Sequence, residues 1–511
     1  MICGPKGSGK STFGRMLVNA MITRSASISH KRSITQTDGV AFLDLDPGQP
    51  EYSPPGELSL IHLRSCNLGP PFTHPAIAAD SGDRLVRAHH YGALSPKNDP
   101  EYYIKCVSDL FDHYQKLLVR FPSCPLVVNS AGWVQGAGLE VLLEIIKLRR
   151  ISDIVYTSTH GPREVVESLA QAAEKVGIPM HYLTSQGSEV ATRTAADFRV
   201  MQTLSYFHLD GSEAGNLRWK SNPISEQTPL VVHWAGDKQA VFAVMFLSDE
   251  LDPETMFIAL NGCTVGLVVI EDDQAVRDGS RPDVSDNAFE EYNAHDTGDV
   301  EMGDSATQSQ QKNPNAPRAN SMSGNDSDSE SLAVASSVQR TSSIPPIEDH
   351  PSTHLDHPSI ARNTSDIPYI STGAAKRFSG PLDPTKSYSL GQAIVRGIDP
   401  KNQCFHLLTP IPSATLMDLH RWKKKIVLVR GRLDTPTWAN RESWEKGTAL
   451  RRRVRKQDPE AADRFDAQDA REWAERTPRV SALQERVTSV SARVWRVRRD
   501  LKMRASGEDT D

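Results

Sequence analysis

The chain has 511 residues, which is enough for two or more domains, and a formal net charge of −6. This charge excludes a global basic field, so any surface that binds nucleic acid has to be local. Hydrophobic residues make up 38% of the chain, a low share for a fully globular protein, so part of it is predicted to be disordered. No apolar run reaches the length of a membrane span, and the amino terminus has no signal-peptide pattern.

The cysteines are scattered and include no C-x-x-C pair. This spacing argues against a zinc site and against a disulfide framework, and it favours a reducing compartment. The six cysteines are Cys3, Cys66, Cys106, Cys124, Cys263 and Cys404.

The first pattern in chain order is a complete phosphate-binding loop, which fits G-x-x-x-x-G-K-[ST] at every fixed position. Its glycines let backbone N–H groups converge on a phosphate, its lysine supplies a charge for the β- and γ-phosphates, and the next hydroxyl can hold Mg²⁺. The alternative is a glycine turn followed by a chance Lys-Ser. The loop residues are Gly4, Pro5, Lys6, Gly7, Ser8, Gly9, Lys10, Ser11 and Thr12.

A P-loop normally follows a strand, but only Met1, Ile2 and Cys3 precede this one. We therefore expect either an N-terminally truncated version of a longer protein or a first strand that is barely present.

Helix and strand patterns alternate along residues 1–227. Such alternation predicts an α/β domain of the P-loop NTPase type, with a parallel sheet and helices on both faces. The predicted elements are a helix over 10–22, a strand over 39–46, a helix over 102–121, a strand over 125–130, a helix over 139–146, a strand over 154–157, a helix over 162–175 and a strand over 180–183.

Two carboxylates, Asp44 and Asp46, end the strand that follows the P-loop helix, and their spacing puts them on one face of it. The chain has no N-K-x-D motif, which argues against a GTPase, and strand 125–130 lacks the aspartate of a Walker-B strand. A kinase needs a carboxylate near the γ-phosphate for the acceptor hydroxyl, and these two can supply it. The alternative is a simple strand-end turn, since Asp-Pro-Gly favours turns.

Strand patterns dominate 228–271 and return in 385–440, which predicts a C-terminal β-rich domain. Between them, 272–384 is acidic and rich in Ser, Asn and Pro, so it is predicted to be a disordered insertion. Residues 441–511 are highly charged and predicted to be a partly helical, solvated tail. The alternative for this tail is a basic contact to RNA or to a partner.

Three segments resemble, in this order, the polynucleotide 5′-hydroxyl-kinase family: residues 4–12, 43–51 and 129–136. The likeness is greatest to the fungal-type nucleolar branch that acts in pre-ribosomal-RNA processing. Residues 49–51, 206–208 and 428–433 carry that further likeness, and the resemblance covers 1–271 and 385–440.

The resemblance implies a transferase that uses ATP and Mg²⁺ to phosphorylate the 5′-OH of RNA or DNA. Lys10 would bind the transferring phosphate, and Ser11 would hold Mg²⁺ together with Asp44, with Thr12 as the alternative to Ser11. Asp46 matches the general base. Trp133 matches an aromatic clasp that holds the substrate end. Gln49 is also expected to bind the substrate. The alternative for Trp133 is a core aromatic residue packed behind its strand.

Residues 193–208 resemble the lid of this family, in which an arginine stabilises charge on the transferring phosphoryl group. Arg199 is the predicted lid arginine and Arg193 the second choice. The alternative is a surface arginine on an ordinary helix.

The resemblance also implies a function in rRNA processing, on RNA 5′-OH ends left by cleavage in the internal transcribed spacer. It implies an endoribonuclease partner, a nuclear and nucleolar location, and absence of the N-terminal β-rich domain of the family. Two other hypotheses remain. One is a nucleotide-binding scaffold with impaired or absent kinase activity. The other is a P-loop ATPase that hydrolyses ATP without needing a 5′-OH acceptor.

Overall fold

Two β-sheets organise the part of the chain that can be described. The computed structural model describes residues 1–32, 38–76, 84–148, 150–158, 161–185, 193–210, 218–247, 252–276, 360–370 and 382–433. Within these residues, no helix combines the length and apolar character needed to cross a membrane.

The first sheet has seven strands. In chain order they are β1 (Ile2–Cys3), β2 (Val40–Leu45), β3 (Glu57–Leu63), β4 (Arg84–His90), β5 (Leu126–Ser130), β6 (Ile154–Tyr156) and β7 (Met180–Tyr182). Their order across the sheet is β4-β3-β2-β5-β1-β6-β7. Neighbours from β2 to β7 are parallel, whereas β3 and β4 extend the β2 side as antiparallel strands. The short leading strand β1 therefore lies inside the parallel part, between β5 and β6.

Helices cover both faces of this sheet. They are α1 (Lys10–Arg32), α2 (Pro100–Arg120), α3 (Ala137–Lys147) and α4 (Arg163–Val176). A further helix, α5 (Ala195–His208), follows them in the chain. Phe42 of β2 packs in one core with Val18 of α1, while the next residue, Leu43, packs in another with Phe111 and Ile145. Successive side chains of a strand point to opposite faces, so this alternation separates the two cores. The predicted helix-covered α/β architecture is confirmed.

Side-chain caps fix where two of these helices begin. The Asp99 carboxylate accepts the N–H of Tyr102 at 2.9 Å at the start of α2. At the start of α5, Thr194 and Asp197 form a reciprocal capping box. Each cap satisfies N–H groups that a helix start leaves without an intrahelical acceptor.

All eight elements predicted between residues 10 and 183 are present, with modest shifts at their ends. The helix predicted over 10–22 is longer and extends to Arg32. The predicted parallel sheet is present, and the sequence prediction missed β3 and β4, which extend it. The sheet is mixed, with two antiparallel strands added at one edge.

The second sheet forms the predicted C-terminal β-rich domain. Its strands are β8 (Leu230–His233), β9 (Val241–Phe246), β10 (Thr264–Ile270), β11 (Ile360–Arg362), β12 (Pro368–Ile370), β13 (Ser387–Asp399), β14 (Cys404–Leu408) and β15 (Lys425–Arg430), with helices α6 (Met256–Leu260) and α7 (Ser413–Arg421). Their order is β11-β12-β9-β15-β10-β13-β14-β8. Pairing is antiparallel except that β9 runs parallel to β12 and β15.

The insertion predicted over 272–384 lies mostly outside the described residues, as does the tail predicted over 441–511. For three described parts of the insertion the prediction of disorder is wrong. Strands β11 and β12 lengthen the sheet beside β9. Residues 272–276 and 382–384 flank β10 and β13, and the Asp383 N–H donates to Ala275 O at 3.0 Å. These segments are held by packing, since Ala275 and Ile367 are fully buried.

The two sheets meet where β4 lies against β10 and β13. Arg87 of β4 is buried and donates to Asp109 of α2 at 3.1 Å, to Glu271 at 2.9 Å and to Ser387 O at 2.9 Å. Gly266 of β10 passes over the His90 ring so closely that a Cβ there would lie 2.2 Å from a ring carbon. One guanidinium thus joins the α2 side of the first sheet to the edge of the second.

Candidate active site

The loop between β1 and α1 has the backbone of a phosphate cradle. Gly4, Gly7 and Gly9 have φ angles of +146°, +77° and +92°, a region that residues with a side chain rarely adopt. Helix α1 begins at Lys10, and Phe13 N donates to Gly9 O at 2.9 Å, so the helix starts directly behind the loop. Helix N-termini favour anions because their first N–H groups have no intrahelical partner.

Contacts within the loop and to the end of β6 hold this shape. Ser8 Oγ donates to Pro5 O at 2.8 Å and lies 2.6 Å from Thr157 Oγ1. Thr157 in turn donates to Cys3 O at 3.2 Å. The loop is therefore tied to the carboxyl ends of β1 and β6, the edge of a parallel sheet at which ligands bind.

Lys10 is folded back into the loop. Its side chain is only 6% exposed, and Nζ donates to Pro5 O at 3.1 Å. Burial lowers its pKa, whereas the nearby Asp46 carboxylate raises it. The ammonium group is held where a bound phosphate would replace the carbonyl as its partner.

Asp44, at the end of β2, is completely buried. Its Oδ2 accepts the Glu51 N–H at 2.5 Å, and its Oδ1 accepts the side-chain amide of Asn129 at 3.0 Å. Burial raises its pKa to about 8, against the effect of these two donors. Asn129 occupies the strand end at which a Walker-B aspartate was expected and not found, and it holds Asp44 in place.

Asp46 is half-buried beside Lys10. The N–H groups of Gly48 and Gln49 donate to Asp46 Oδ1 at 3.0 and 3.2 Å. Burial raises its pKa, and the charges of Lys10 and Arg199 lower it together with these two N–H groups. Three residues predicted from distant parts of the sequence are thus brought into one electrostatic neighbourhood.

A buried ion-pair cluster supports the segment after Asp46, and the sequence analysis did not foresee it. Glu51 is 1% exposed, and its Oε1 lies 3.2 Å from Arg15 Nη1 and 3.1 Å from His74 Nε2. Arg15 is on α1, one turn after the P-loop. The cluster therefore fixes the β2–β3 connection against the helix that carries the loop, and only the proximity of Glu51 to Asp46 in sequence hinted at it.

Helix α5, predicted to be a lid, is clamped to the same connection. The side-chain amide of Gln202 donates to Pro50 O and Ser53 O, both at 2.6 Å, and Gln202 is 5% exposed. Ser205 Oγ donates to Phe72 O at 2.5 Å. Arg199 lies one turn before Gln202, so this clamp determines where the arginine is carried.

The same helix reaches the second sheet. Gln392 of β13 donates its backbone N–H to Tyr206 Oη at 2.8 Å and its side-chain amide to Pro55 O at 2.8 Å. Helix α5, the β2–β3 connection and β13 are thereby joined in one hydrogen-bonded unit.

Trp133 follows β5 in a loop next to the P-loop. A Cβ on Gly132 would lie 3.0 Å from Lys6 Cα and 3.2 Å from Lys10 Nζ, so the two loops touch. The Trp133 ring is half-buried against the core of the first sheet and against Gly138. The core-packing alternative thus has structural support, and the clasp role stays a prediction.

The remaining predicted site residues differ in their exposure to solvent. Ser11 is half-buried and Thr12 exposed on the first turn of α1, and the choice of Ser11 for Mg²⁺ stays a prediction. Lys6 is exposed and Gln49 half-buried, whereas Arg193 is exposed before α5 begins. Oxygen groups suit Mg²⁺, and the hydroxyl of Ser11 and the carboxylate of Asp44 are of this type. Within the described part of the chain, buried Asn129 Oδ1 has no protein hydrogen-bond partner.

Comparison with known proteins bears on these residues. The family model for the mRNA cleavage and polyadenylation factor CLP1 P-loop matches residues 4–209. The polynucleotide 5′-hydroxyl-kinase grc3 of Aspergillus fumigatus is 38% identical over 97% of this chain and 56% of its own length. The GRC3 kinase of Gibberella zeae is 30% identical over 99% of this chain and 61% of its length.

The chain is similar to polynucleotide 5′-hydroxyl-kinases over nearly its whole length.

The resemblance predicted from the three motifs is thus confirmed. The chain spans a little over half the length of these curated family members. Among solved structures, the wild-type Clp1p–Pcf11p complex matches with a TM-score of 0.43 and 12% identity, over 84% of this chain and 73% of that one.

Proposed function

We propose that the chain is an ATP-dependent polynucleotide 5′-hydroxyl kinase, which transfers the γ-phosphoryl group of ATP to the 5′-OH of RNA. One observation carries the proposal: Asp46 is half-buried, and the charges of Lys10 and Arg199 act on it against the rise in pKa that burial causes. A general base needs to lie beside the groups that neutralise the transferring phosphate. The names of the curated family members support the same reaction.

Each residue then has a defined part. The P-loop N–H groups and Lys10 bind the ATP phosphates, and Arg199 faces the negative charge that develops on transfer. Asp46 accepts the proton of the 5′-OH as that oxygen attacks phosphorus, and ADP leaves. Mg²⁺, when bound, neutralises phosphate charge, and Ser11 and Asp44 are the residues that would hold it.

The test compares Lys10→Ala and Asp46→Asn with the parent protein in transfer of radioactive phosphate from ATP to a 5′-OH oligonucleotide. We expect each variant to lose at least about 100-fold in rate, the scale of a lost transition-state donor or general base. Circular dichroism checks that both variants are folded. Matched controls are Lys175→Ala and Asp237→Asn, at exposed positions away from the P-loop, and both should retain transfer.

Three outcomes would contradict the proposal in different ways. Full activity of both site variants would overturn the residue roles. ATP binding without transfer in the parent protein would favour the scaffold hypothesis. Hydrolysis that ignores a 5′-OH acceptor would favour another P-loop ATPase.

We also propose that the substrate is a cleaved ribosomal-RNA spacer, made by an endoribonuclease partner in the nucleolus. The support is the likeness to the nucleolar branch in residues 49–51, 206–208 and 428–433. Purification of the tagged protein from its native cells should recover an endoribonuclease, and depletion of the kinase should leave 5′-OH ends on spacer fragments. Normal 5′-phosphate ends after depletion would refute this role.

A further inference from the structure

The hairpin formed by β13 and β14 in the second sheet carries three side chains with metal-binding chemistry. Asp399, the last residue of β13, is the direct cross-strand partner of Cys404, the first residue of β14. His406 lies two residues further along β14, hence on the same face as Cys404. The intervening Phe405 points the other way into the core.

The three ligand atoms are close enough for one ion. A carboxylate oxygen of Asp399, the sulfur of Cys404 and a ring nitrogen of His406 all lie within 4.8 Å of one another. Cys404 Sγ is 3.9 Å from His406 Nε2. In a tetrahedral zinc site, ligand bonds of about 2.3 Å to sulfur and about 2.1 Å to nitrogen separate these two atoms by about 3.6 Å. For this pair a movement of a few tenths of an ångström would suffice, and the Asp399 oxygen starts within 4.8 Å of both atoms.

The carboxylate is already oriented by the turn. Asp399 Oδ1 accepts the N–H groups of Lys401 and Asn402 at 3.0 and 3.1 Å, and Oδ2 accepts the Asn402 side-chain amide at 2.7 Å. Hydrogen bonds of this kind orient ligating carboxylates in metal sites. Gln403, at a φ of +50°, donates to Asp366 at 2.7 Å and anchors the turn to the segment before β12.

We propose that Asp399, Cys404 and His406 bind Zn²⁺, with solvent completing a tetrahedral site. A thiolate and an imidazole select a borderline transition metal, because Mg²⁺ and Ca²⁺ prefer oxygen ligands throughout. Cys404 is 3% exposed, while Asp399 and His406 are half-buried, so the ion would lie just beneath the surface. On binding, the thiol releases its proton to solvent and the sulfur becomes the third ligand.

The site escapes a search by sequence because it lacks a second cysteine. Spacing alone argued against zinc, since none of the six cysteines forms a C-x-x-C pair. Strand pairing supplies the carboxylate instead, from five residues before Cys404 on the other strand of the hairpin. The site lies on the second sheet, so it does not depend on the phosphate-transfer proposal.

The test uses the full chain, treated with a chelator and then titrated with Co²⁺, which takes the same tetrahedral geometry and is coloured. We expect one equivalent of Co²⁺ per chain, with a thiolate-to-metal absorption band that Zn²⁺ removes by competition. Cys404→Ser should abolish the band. His406→Ala and Asp399→Asn should each weaken Co²⁺ binding at least tenfold.

Two control variants separate the site from stray thiols. Cys66→Ser removes an exposed cysteine, and Cys263→Ser removes a buried cysteine of the domain that carries the proposed site. Both variants should keep the absorption band. Absence of a saturable band in the parent chain would overturn the proposal. So would an unchanged band in Cys404→Ser or in both of the other ligand variants. Should Cys404→Ser fail to fold, the His406 and Asp399 variants decide alone.

Discussion

Asp44 and Asp46 stand two residues apart, yet the fold gives them different surroundings. Asp44 is sealed beneath the β2–β3 connection, with Asn129 and the Glu51 N–H as its donors. Asp46 is half-buried and shares the charges of Lys10 and Arg199. Two carboxylates in such different environments suit two different tasks, as in other enzymes that use acid pairs.

The buried Asp44 leads to a pH prediction for the protein without nucleotide or magnesium. Burial raises its pKa from 3.8 to about 8, so between these values the folded state keeps a proton that the unfolded state has released. The free energy of unfolding should therefore fall as pH rises through this window, by up to about 1 kcal/mol per pH unit. Urea unfolding at about pH 5.5 and about pH 7.5 measures the slope.

Asp44→Asn is the matched control, because it keeps the shape and removes the titrating proton. Groups that do not interact with Asp44 titrate equally in both proteins, so the difference between the two slopes belongs to Asp44 and to Asp46, whose charge is coupled to it. Identical slopes in the parent and the variant would show that Asp44 titrates as it does in the unfolded chain.

At the scale of elements, the position of α5 depends on one buried side chain. Gln202 is clamped to the backbone of the connection that begins at Asp46 and to which Asp44 is bonded. Gln202→Leu removes two hydrogen bonds, each worth about 1 kcal/mol, and leaves two buried carbonyl groups without their donor. We expect kcat for phosphate transfer to fall about tenfold while KM for ATP stays near the parent value, since the P-loop is untouched.

Steady-state kinetics with varied ATP check this prediction. Gln171→Leu, the same change at an exposed position of α4, should leave both constants unchanged. A rise in KM alone, with kcat retained, would mean that Gln202 supports nucleotide binding and not the position of Asp46 and Arg199.

Elements that a short sequence pattern marks were predicted from the sequence. Elements that depend on contacts with distant segments were not. The P-loop was predicted from its glycine spacing, and β2 and β5 were predicted from their apolar runs. Strand β3 does not, because it is buried throughout and yet contains Glu57, Ser59 and His62. Other segments supply partners for these polar groups: Glu57 Oε1 lies 2.7 Å from His90 Nδ1, and Ser59 Oγ accepts from Ser53 Oγ at 2.7 Å. The alternation of polar and apolar residues over 57–60 breaks at Ile61, so the period-two pattern is too short to predict the strand.

The residues of the candidate site also fall into those that a sequence motif predicts and those that it does not. Lys10 and Asp46 are placed by short motifs, so they could be named before the fold was known. Glu51 and Gln202 act through contacts with residues from 23 to 152 positions away. Nothing in the sequence around Gln202 distinguishes it from surface polar residues, and the signal for Glu51 is its proximity to Asp46.

At the scale of the whole molecule, Arg87 holds the two sheets together. Its guanidinium is buried among Asp109, Glu271 and two backbone carbonyls. Arg87→Met keeps the length of the side chain but leaves Asp109 without that charge, so we expect a loss of about 3–5 kcal/mol in the free energy of unfolding. Urea denaturation measures it.

Arg84→Met provides the comparison, since Arg84 is exposed at the start of the same strand. We expect that change to stay within about 0.5 kcal/mol of the parent. A loss in Arg87→Met no larger than in Arg84→Met would mean that the contacts of Asp109 with His89 and His113 are enough to stabilise its carboxylate.

The bond between Tyr206 and Gln392 has a consequence for protein engineering. The helix that carries Arg199 rests on β13, and β13 also supports the connection after Asp46 through Pro55. A minimal version cut before Leu230 would keep every motif of the transfer site and lose the surface against which two of its parts are aligned. It would also uncover β4 and the ring of His90, exposing buried surface to aggregation. The P-loop half is therefore not a portable module, and a working graft has to carry the second sheet with it.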